Sequence, residues 1–242
     1  MASKKKKTAS KNKTDDFAGF GPGLIQFYAE LSTHNDREWF EANKPRYEED
    51  IREPARAFIR AFAPHLAKIS KHLVASDKKA GGSLMRIYRD VRFSKDKTPY
   101  KTNLGIQFRH AAGKDVHAPG LYVHLDADGV FLGAGTWRPE SSALQAIRER
   151  IATKGKAWTK IRDDPNFTAH WSLGGDSLVR PPRGFAKDHP QLEDLKRKDH
   201  IAVCNLETKE LFGPEAPARL AAYFAETTSY MRFLCKALDV PF

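Results

Sequence analysis

The stretch LYVHLDADGVFLGAGTW, residues 121–137, decides the fold class. Leu121, Val123 and Leu125 alternate with Tyr122, His124 and Asp126, the period of two that sends successive strand side chains to opposite faces of a sheet. Asp126-Ala127-Asp128-Gly129 is a turn signal, and the apolar run after it reads as the return strand of a hairpin. LGIQFR (104–109) alternates in the same way, with Leu104, Ile106 and Phe108 opposite Gln107 and Arg109. Half-polar strands joined by short turns predict an antiparallel sheet covered on one face. On that sheet His124 belongs to the polar side and finds hydrogen bonds there.

Working outward, LMRIY (84–88) reads as a further strand and HIAVCNL (200–206) as the last one. The flanks are helical. GLIQFYAEL (23–31) fits a short helix, and Asp36 is placed to cap REWFEAN (37–43). Pro45 suits the first turn of a new helix, in which Ile51, Ala55, Phe58, Phe62 and Ile69 mark one buried face. Pro54 and Pro64 predict kinks or a break in it, and HLVASDKKAGG (72–82) reads as a polar loop. Helices are expected again from Pro139, with Leu144, Ile147 and Ile151 inward, and from Pro190. A continuous C-terminal seam is expected over Leu220, Phe224, Thr227, Met231, Leu234 and Leu238. Helices, sheet and helices again make an α+β fold, a mainly antiparallel sheet packed by N-terminal and C-terminal helices. No repeat or linker divides it, so residues 17–242 are expected to form a single domain.

Of the net charge of +11, the run MASKKKKTASKNK holds six lysines and no acid. The rest of the chain carries 35 basic and 30 acidic groups. Residues 1–16 are expected to be a disordered lysine-rich tail that adds non-specific affinity for polyanions. No apolar run reaches membrane-spanning length and no secretory pattern follows the cationic start. Two cysteines, Cys204 and Cys235, make neither a disulfide framework nor a metal set and read as small buried hydrophobes. The expected setting is cytoplasmic and reducing, away from membranes; the sequence carries no sign of oligomeric state.

The chemistry concentrates in RIYRDVRFSKDKTPYKTN, residues 86–103. Arg86, Arg89, Arg92, Lys95, Lys97 and Lys101 stand against only Asp90 and Asp96. Arginine grips a carboxylate or phosphate with a planar fork, and lysine adds a point charge. Buried cations need partners, and two aspartates cannot serve six. The arginines converge only if the chain leaves the strand near Asp90, as VRFSKDKTPY with Pro99 allows. Ser94, Tyr100, Lys101 and Asn103 complete the candidate binding loop. LVRPPRGFAKDHP (178–190) again joins cations to stiff backbone, so most of the first set is expected to share one concave region with Arg180 or Arg183. The plainer alternatives are a salt-bridged clasp and, for 178–190, a turn into the Pro190 helix.

The segment R-x-x-R-D-x-R-F-S-x-D-K-x-P-Y-K-T-N resembles the signature of a bacterial family, domain of unknown function 2461. Asn35-Asp36-Arg37-Glu38-Trp39-Phe40-Glu41-Ala42-Asn43-Lys44, with Asp36 as an insertion, and Leu178, Arg180, Pro182, Arg183, Gly184, Phe185, Asp188, His189 and Pro190 resemble two weaker motifs of it. The resemblance covers about Gly19 to the C-terminus and implies a soluble α+β bacterial protein with no established activity.

Other constellations fail. His110, His117 and His124 lack metal spacing, Ser94 lacks a nucleophile elbow, and Gly133-Ala134-Gly135 does not complete a dinucleotide fingerprint. Trp39, Phe40 and Trp137 read as core or cleft wall. No cofactor and no metal are expected. The favoured reading is a cationic pocket for a small phosphate- or carboxylate-bearing ligand, with no nucleophile to name a reaction and so no decision on enzyme or binder. The alternative is a nucleic-acid-binding module using the same patch and the tail, with Tyr88, Phe93 and Tyr100 stacking on bases. A third reading is a motif that is structural only.

Overall fold

The computed structural model describes residues 17–112 and 118–242; the lysine-rich tail and His117 lie outside the described residues. Helix α1 (Pro22–Thr33) opens the fold and α2 (Arg37–Arg46) follows, with the Asp36 carboxylate capping it by accepting the Trp39 N–H at 2.9 Å. Pro45 starts no new helix: it lies inside α2, and the chain continues through a π-helical turn, Tyr47–Arg52, into α3 (Glu53–Ile69). Pro54 has no N–H for the carbonyl four residues back. The wider π register meets that gap instead of a break, with the Glu53 N–H donating to the Glu48 carbonyl. Pro64 is likewise held within α3.

Six strands form one antiparallel sheet in the order β1 (Leu73–Val74), β2 (Leu104–His110), β3 (Gly120–Leu125), β4 (Val130–Thr136), β6 (His200–Leu206) and β5 (Ser172–Gly174). The register carries the alternation across the sheet: Ile106 faces Val123, Val123 faces Leu132 and Leu132 faces Cys204, all buried. Helices pack on this side. Phe62 of α3 stacks on Phe108 of β2 at 4.6 Å. On the other side stand Gln107, Tyr122, His124 and Phe131. The two cysteines are free and buried, and burial pushes their thiols up to about 11 and about 12.

After β4 the chain forms α4 (Ser141–Thr153), α5 (Gly155–Arg162) and the short α6 (Pro165–Thr168), then β5 and α7 (Leu192–Leu195). The helix expected from Pro190 is thus a single turn. The expected C-terminal seam is two helices, α8 (Ala216–Glu226) and α9 (Thr228–Ala237), parted at buried Thr227. The Thr227 hydroxyl donates to the Phe224 carbonyl at 2.7 Å, a side-chain bond that competes with the helical ladder. Trp137, expected in the core or a cleft wall, is 62% exposed and lies under Arg138. No described helix is long and apolar enough to cross a membrane.

Phe108 is fully buried between strand and helix, so Phe108→Ala is expected to cost about 3–5 kcal/mol, measured by urea unfolding.

Candidate functional site

Residues 83–89 run antiparallel to 99–107, tied by Met85 N–H to Gly105 O (2.9 Å), Lys101 N–H to Ile87 O (2.7 Å) and Arg89 N–H to Pro99 O (2.9 Å). The expected strand 84–88 is reduced to isolated bridges, Leu84 to Ile106 and Tyr88 to Tyr100. Four steps on one side thus face six on the other, and the surplus is taken up by the bend at Thr102 and Asn103. The result is a hairpin leaving the sheet at Leu104 with residues 90–98 as its tip.

The tip is built on its two aspartates. Asp90 receives the Arg92 fork, Nε at 2.9 Å and Nη2 at 2.7 Å. Asp96 accepts the Thr98 N–H at 2.9 Å, the Thr98 hydroxyl at 2.8 Å and Arg89 Nη1. Lys97 donates to the Val91 carbonyl at 3.0 Å, and the Ser94 N–H closes a turn on the same oxygen at 3.4 Å. Arg89 Nη1 also donates to the Thr98 hydroxyl, and its Nε and Nη2 have no partner among the described residues. Among the described residues, no hydrogen bond or ion pair reaches the side chains of Arg86, Lys95 or Lys101.

The hairpin is pinned to α2 by Asn35. Its side-chain amide donates to the Tyr100 carbonyl and accepts the Tyr100 N–H, both at 3.0 Å. Phe40 then stacks on Tyr100 at 4.1 Å and meets Tyr88 at 6.2 Å. Between helix and hairpin lies a cleft of about 310 Å³ lined by Arg37, Glu41, Tyr88, Arg89, Val91, Pro99 and Tyr100. Burial raises the Tyr100 phenol, so it stays neutral and donating at ordinary pH.

Of the predicted residues, Arg89 and Tyr100 line the cleft and Asp96 orients Arg89. Asp90, Arg92, Ser94 and Lys97 shape the tip. Arg86 lies close enough to Lys101 to add to the burial that lowers its pKa, and Asn103 reaches His124 at 3.4 Å. Arg180 and Arg183 are not brought here. Their segment leaves β5, at the far edge of the sheet from β2, where Leu178 N–H bonds Lys196 O beyond the start of β6. The hairpin leaves from the other end of the strands, so the two motifs are diagonally opposed. Both arginines are exposed. Gly184 takes φ +90° in open space, a turn requirement rather than a ligand approach. The residues missed are Arg37 and Glu41. Their spacing of four on a capped helix places them on one face, which was the available signal.

Residues 23–233 match the family described as "Conserved hypothetical protein (DUF2461)". The chain belongs to this family. The match spans the α2 segment, the hairpin and the 178–190 segment alike, and no curated protein matches the sequence.

Two outcomes follow from the hairpin geometry. Asn35→Ala strands both Tyr100 backbone groups and is expected to cost about 2 kcal/mol, read by thermal or urea unfolding. The Asp96 carboxyl is pushed down to about 2, first by the Thr98 N–H and then by Arg89. Because the folded value is depressed, its contribution is complete above the ordinary carboxyl value of about 3.9 and is lost as pH falls through about 2. The Thr98 amide resonance should therefore titrate with a midpoint of about 2; a midpoint near 3.9 would show the carboxylate unpaired in solution.

Proposed function

We propose that the cleft between α2 and the hairpin binds a small ligand through a phosphate or carboxylate group, with Arg89 and Arg37 as its grips. The observation that carries this is Arg89. Asp96 and Thr98 hold it through one nitrogen, leaving the rest of a fixed donor fork on the cleft wall. A fork held in place loses little rotational freedom on binding. Arg37 has no ion pair among the described residues and lines the same wall. Tyr88 and Tyr100 supply a flat apolar surface and phenol donors, and Glu41 limits how much anionic charge the cleft accepts. The proposal places this pocket in a single α+β domain, residues 17–242, of a cytoplasmic protein.

A second reading rests on the tip, where Phe93 is 94% exposed with Arg92 over its ring at 5.7 Å. That pair suits base stacking on a single-stranded nucleic acid. The two readings predict different losses.

The test is a thermal-shift screen with phosphate, sulfate, nucleotides, sugar phosphates and polycarboxylates. A ligand at one hundred times its dissociation constant is expected to add about 2.7 kcal/mol to the folded state. Arg89→Ala is expected to abolish that shift while Phe93→Ala leaves it unchanged. Absence of a shift with any anion, together with loss of oligonucleotide binding in Phe93→Ala, would reverse the assignment.

A further inference from the structure

The polar side of β3 carries a hydrogen-bonded chain that the cleft does not use. Tyr122, His124 and Asp126 follow one another at every second residue, so all three stand on the same side. Tyr122 Oη is 2.9 Å from His124 Nδ1, and His124 Nε2 is 3.0 Å from Asp126 Oδ2. Asp126 is itself fixed, its Oδ1 accepting the N–H groups of Asp128 (2.9 Å) and Gly129 (3.1 Å) in the β3–β4 turn. Burial acts to raise this carboxyl, but the hydrogen bonds from His124 and the two amides outweigh it and leave it low, hence ionised. An ionised carboxylate can only accept, so Nε2 carries the imidazole proton and Nδ1 is the acceptor for the Tyr122 hydroxyl. Phe131 stacks on the imidazole at 4.4 Å and 15°, holding its plane.

The surroundings are arranged for the phenol. Tyr122 lies over Gly105 so closely that a Cβ there would come within 2.8 Å of Oη. A Cβ on Gly133 of the other neighbouring strand would meet the Tyr122 Cβ at 3.5 Å, an ordinary contact. The Asn103 amide nitrogen lies 3.4 Å from His124 Nδ1 and acts to lower the Tyr122 phenol against its burial. Two residues before Asn103, Lys101 is half-buried, its ammonium has no hydrogen bond or ion pair among the described residues, and Arg86 is close to it. A half-buried ammonium without a counter-ion is costly unless an anion completes it.

We propose that Tyr122 is a nucleophile activated by His124, which Asp126 orients, and that it acts on a phosphate ester whose charge Lys101 and Arg86 hold. A nucleophile within hydrogen-bond reach of a base that a third group positions is the general form of such sites. The Tyr122 oxygen forms a bond to phosphorus as the ester P–O bond breaks. The phenol proton passes to His124 Nδ1, and the departing alkoxide takes a proton back from the imidazolium. Burial pushes the Tyr122 phenol up to about 12, so no free phenolate waits at neutral pH and the proton leaves only as His124 accepts it. This site is separate from the cleft and does not depend on it.

The test uses the full chain and an arylsulfonyl fluoride, which exchanges S–F for S–O on a base-assisted phenol, with mass-spectrometric mapping of all 7 tyrosines. Tyr88 is the internal control, since at 48% exposure it is freely accessible whereas Tyr122 is half-buried. Tyr122 is expected to label faster than Tyr88, and His124→Gln to slow Tyr122 alone by ~10²-fold, the scale of general-base assistance. Asp126→Asn is expected to slow it by a smaller factor. Inorganic phosphate should protect Tyr122 in the wild type and fail to do so in Lys101→Ala. Labelling of Tyr122 no faster than Tyr88 in the unaltered protein overturns the proposal without any variant having to fold. An unchanged rate in folded His124→Gln overturns the role of the imidazole, and absence of phosphate protection overturns the substrate class.

Discussion

A side-chain amide that imitates a peptide group holds the cationic hairpin in place. Asn35 gives Tyr100 both a donor and an acceptor, joining residues 65 apart in the chain as a neighbouring strand would. Everything in the cleft is referred to this pair. Tyr100 is fixed against Phe40, Tyr88 is fixed by its bridge to Tyr100, and Arg89 follows Tyr88 directly. On the helical side Arg37 stands two residues after Asn35, within the first turn that Asp36 caps. A clasp made only of surface charges would not set such geometry, because an exposed ion pair contributes at most about 1 kcal/mol and is screened by salt. Uncharged hydrogen bonds and ring stacking position the hairpin, and the charges are then free to be aimed.

The aspartates are the means of aiming. Asp90 and Asp96 are both exposed, so the ion pairs they make are poor sources of stability. Their effect is on direction. Asp90 turns Arg92 back along its own loop, while Asp96 holds Arg89 by one nitrogen only. Three cations remain without a carboxylate or carbonyl among the described residues, which is the excess that counting six basic groups against two acids had implied.

The legibility of the molecule follows from the range of its interactions. Alternation over 104–109 and 121–126, with the hairpin turn at 126–129, was enough to place β2, β3 and β4, because each buries one face and a register error would expose it. Strands β1 and β5, with two and three residues, are too short to show a period. The break at Thr227 and the π turn before Pro54 depend on backbone hydrogen bonds that apolar spacing does not record. Within the site, the surplus of cations was visible, and so was the side on which His124 stands. That Arg180 and Arg183 belong elsewhere was not visible, since a local motif says nothing about which corner of a sheet its strand occupies. Arg37 escaped notice for the same reason, its neighbour across the cleft being supplied by a different part of the chain.

The sheet also explains why two polar constellations gather at one end of it. Leu104 pairs with Leu125, so the hairpin departs from β2 beside the point where β3 runs into Asp126 and its turn. Asn103 is the last hairpin residue before the sheet and is already within reach of His124. The core side there is closed by Leu104, Leu125 and Val130, so the polar groups can be served only from the opposite side. There Gly105 and Gly133 keep the surface low around Tyr122. The diagonal corner, with exposed Trp137 and the 178–190 turn, shares none of this. Its backbone hydrogen bonds serve to close the turn, as His189 does by accepting the Gln191 N–H ahead of α7. Stiff backbone and positive charge coincide at both corners, but among the described residues it is the hairpin that adds a cleft and an arginine held by a carboxylate.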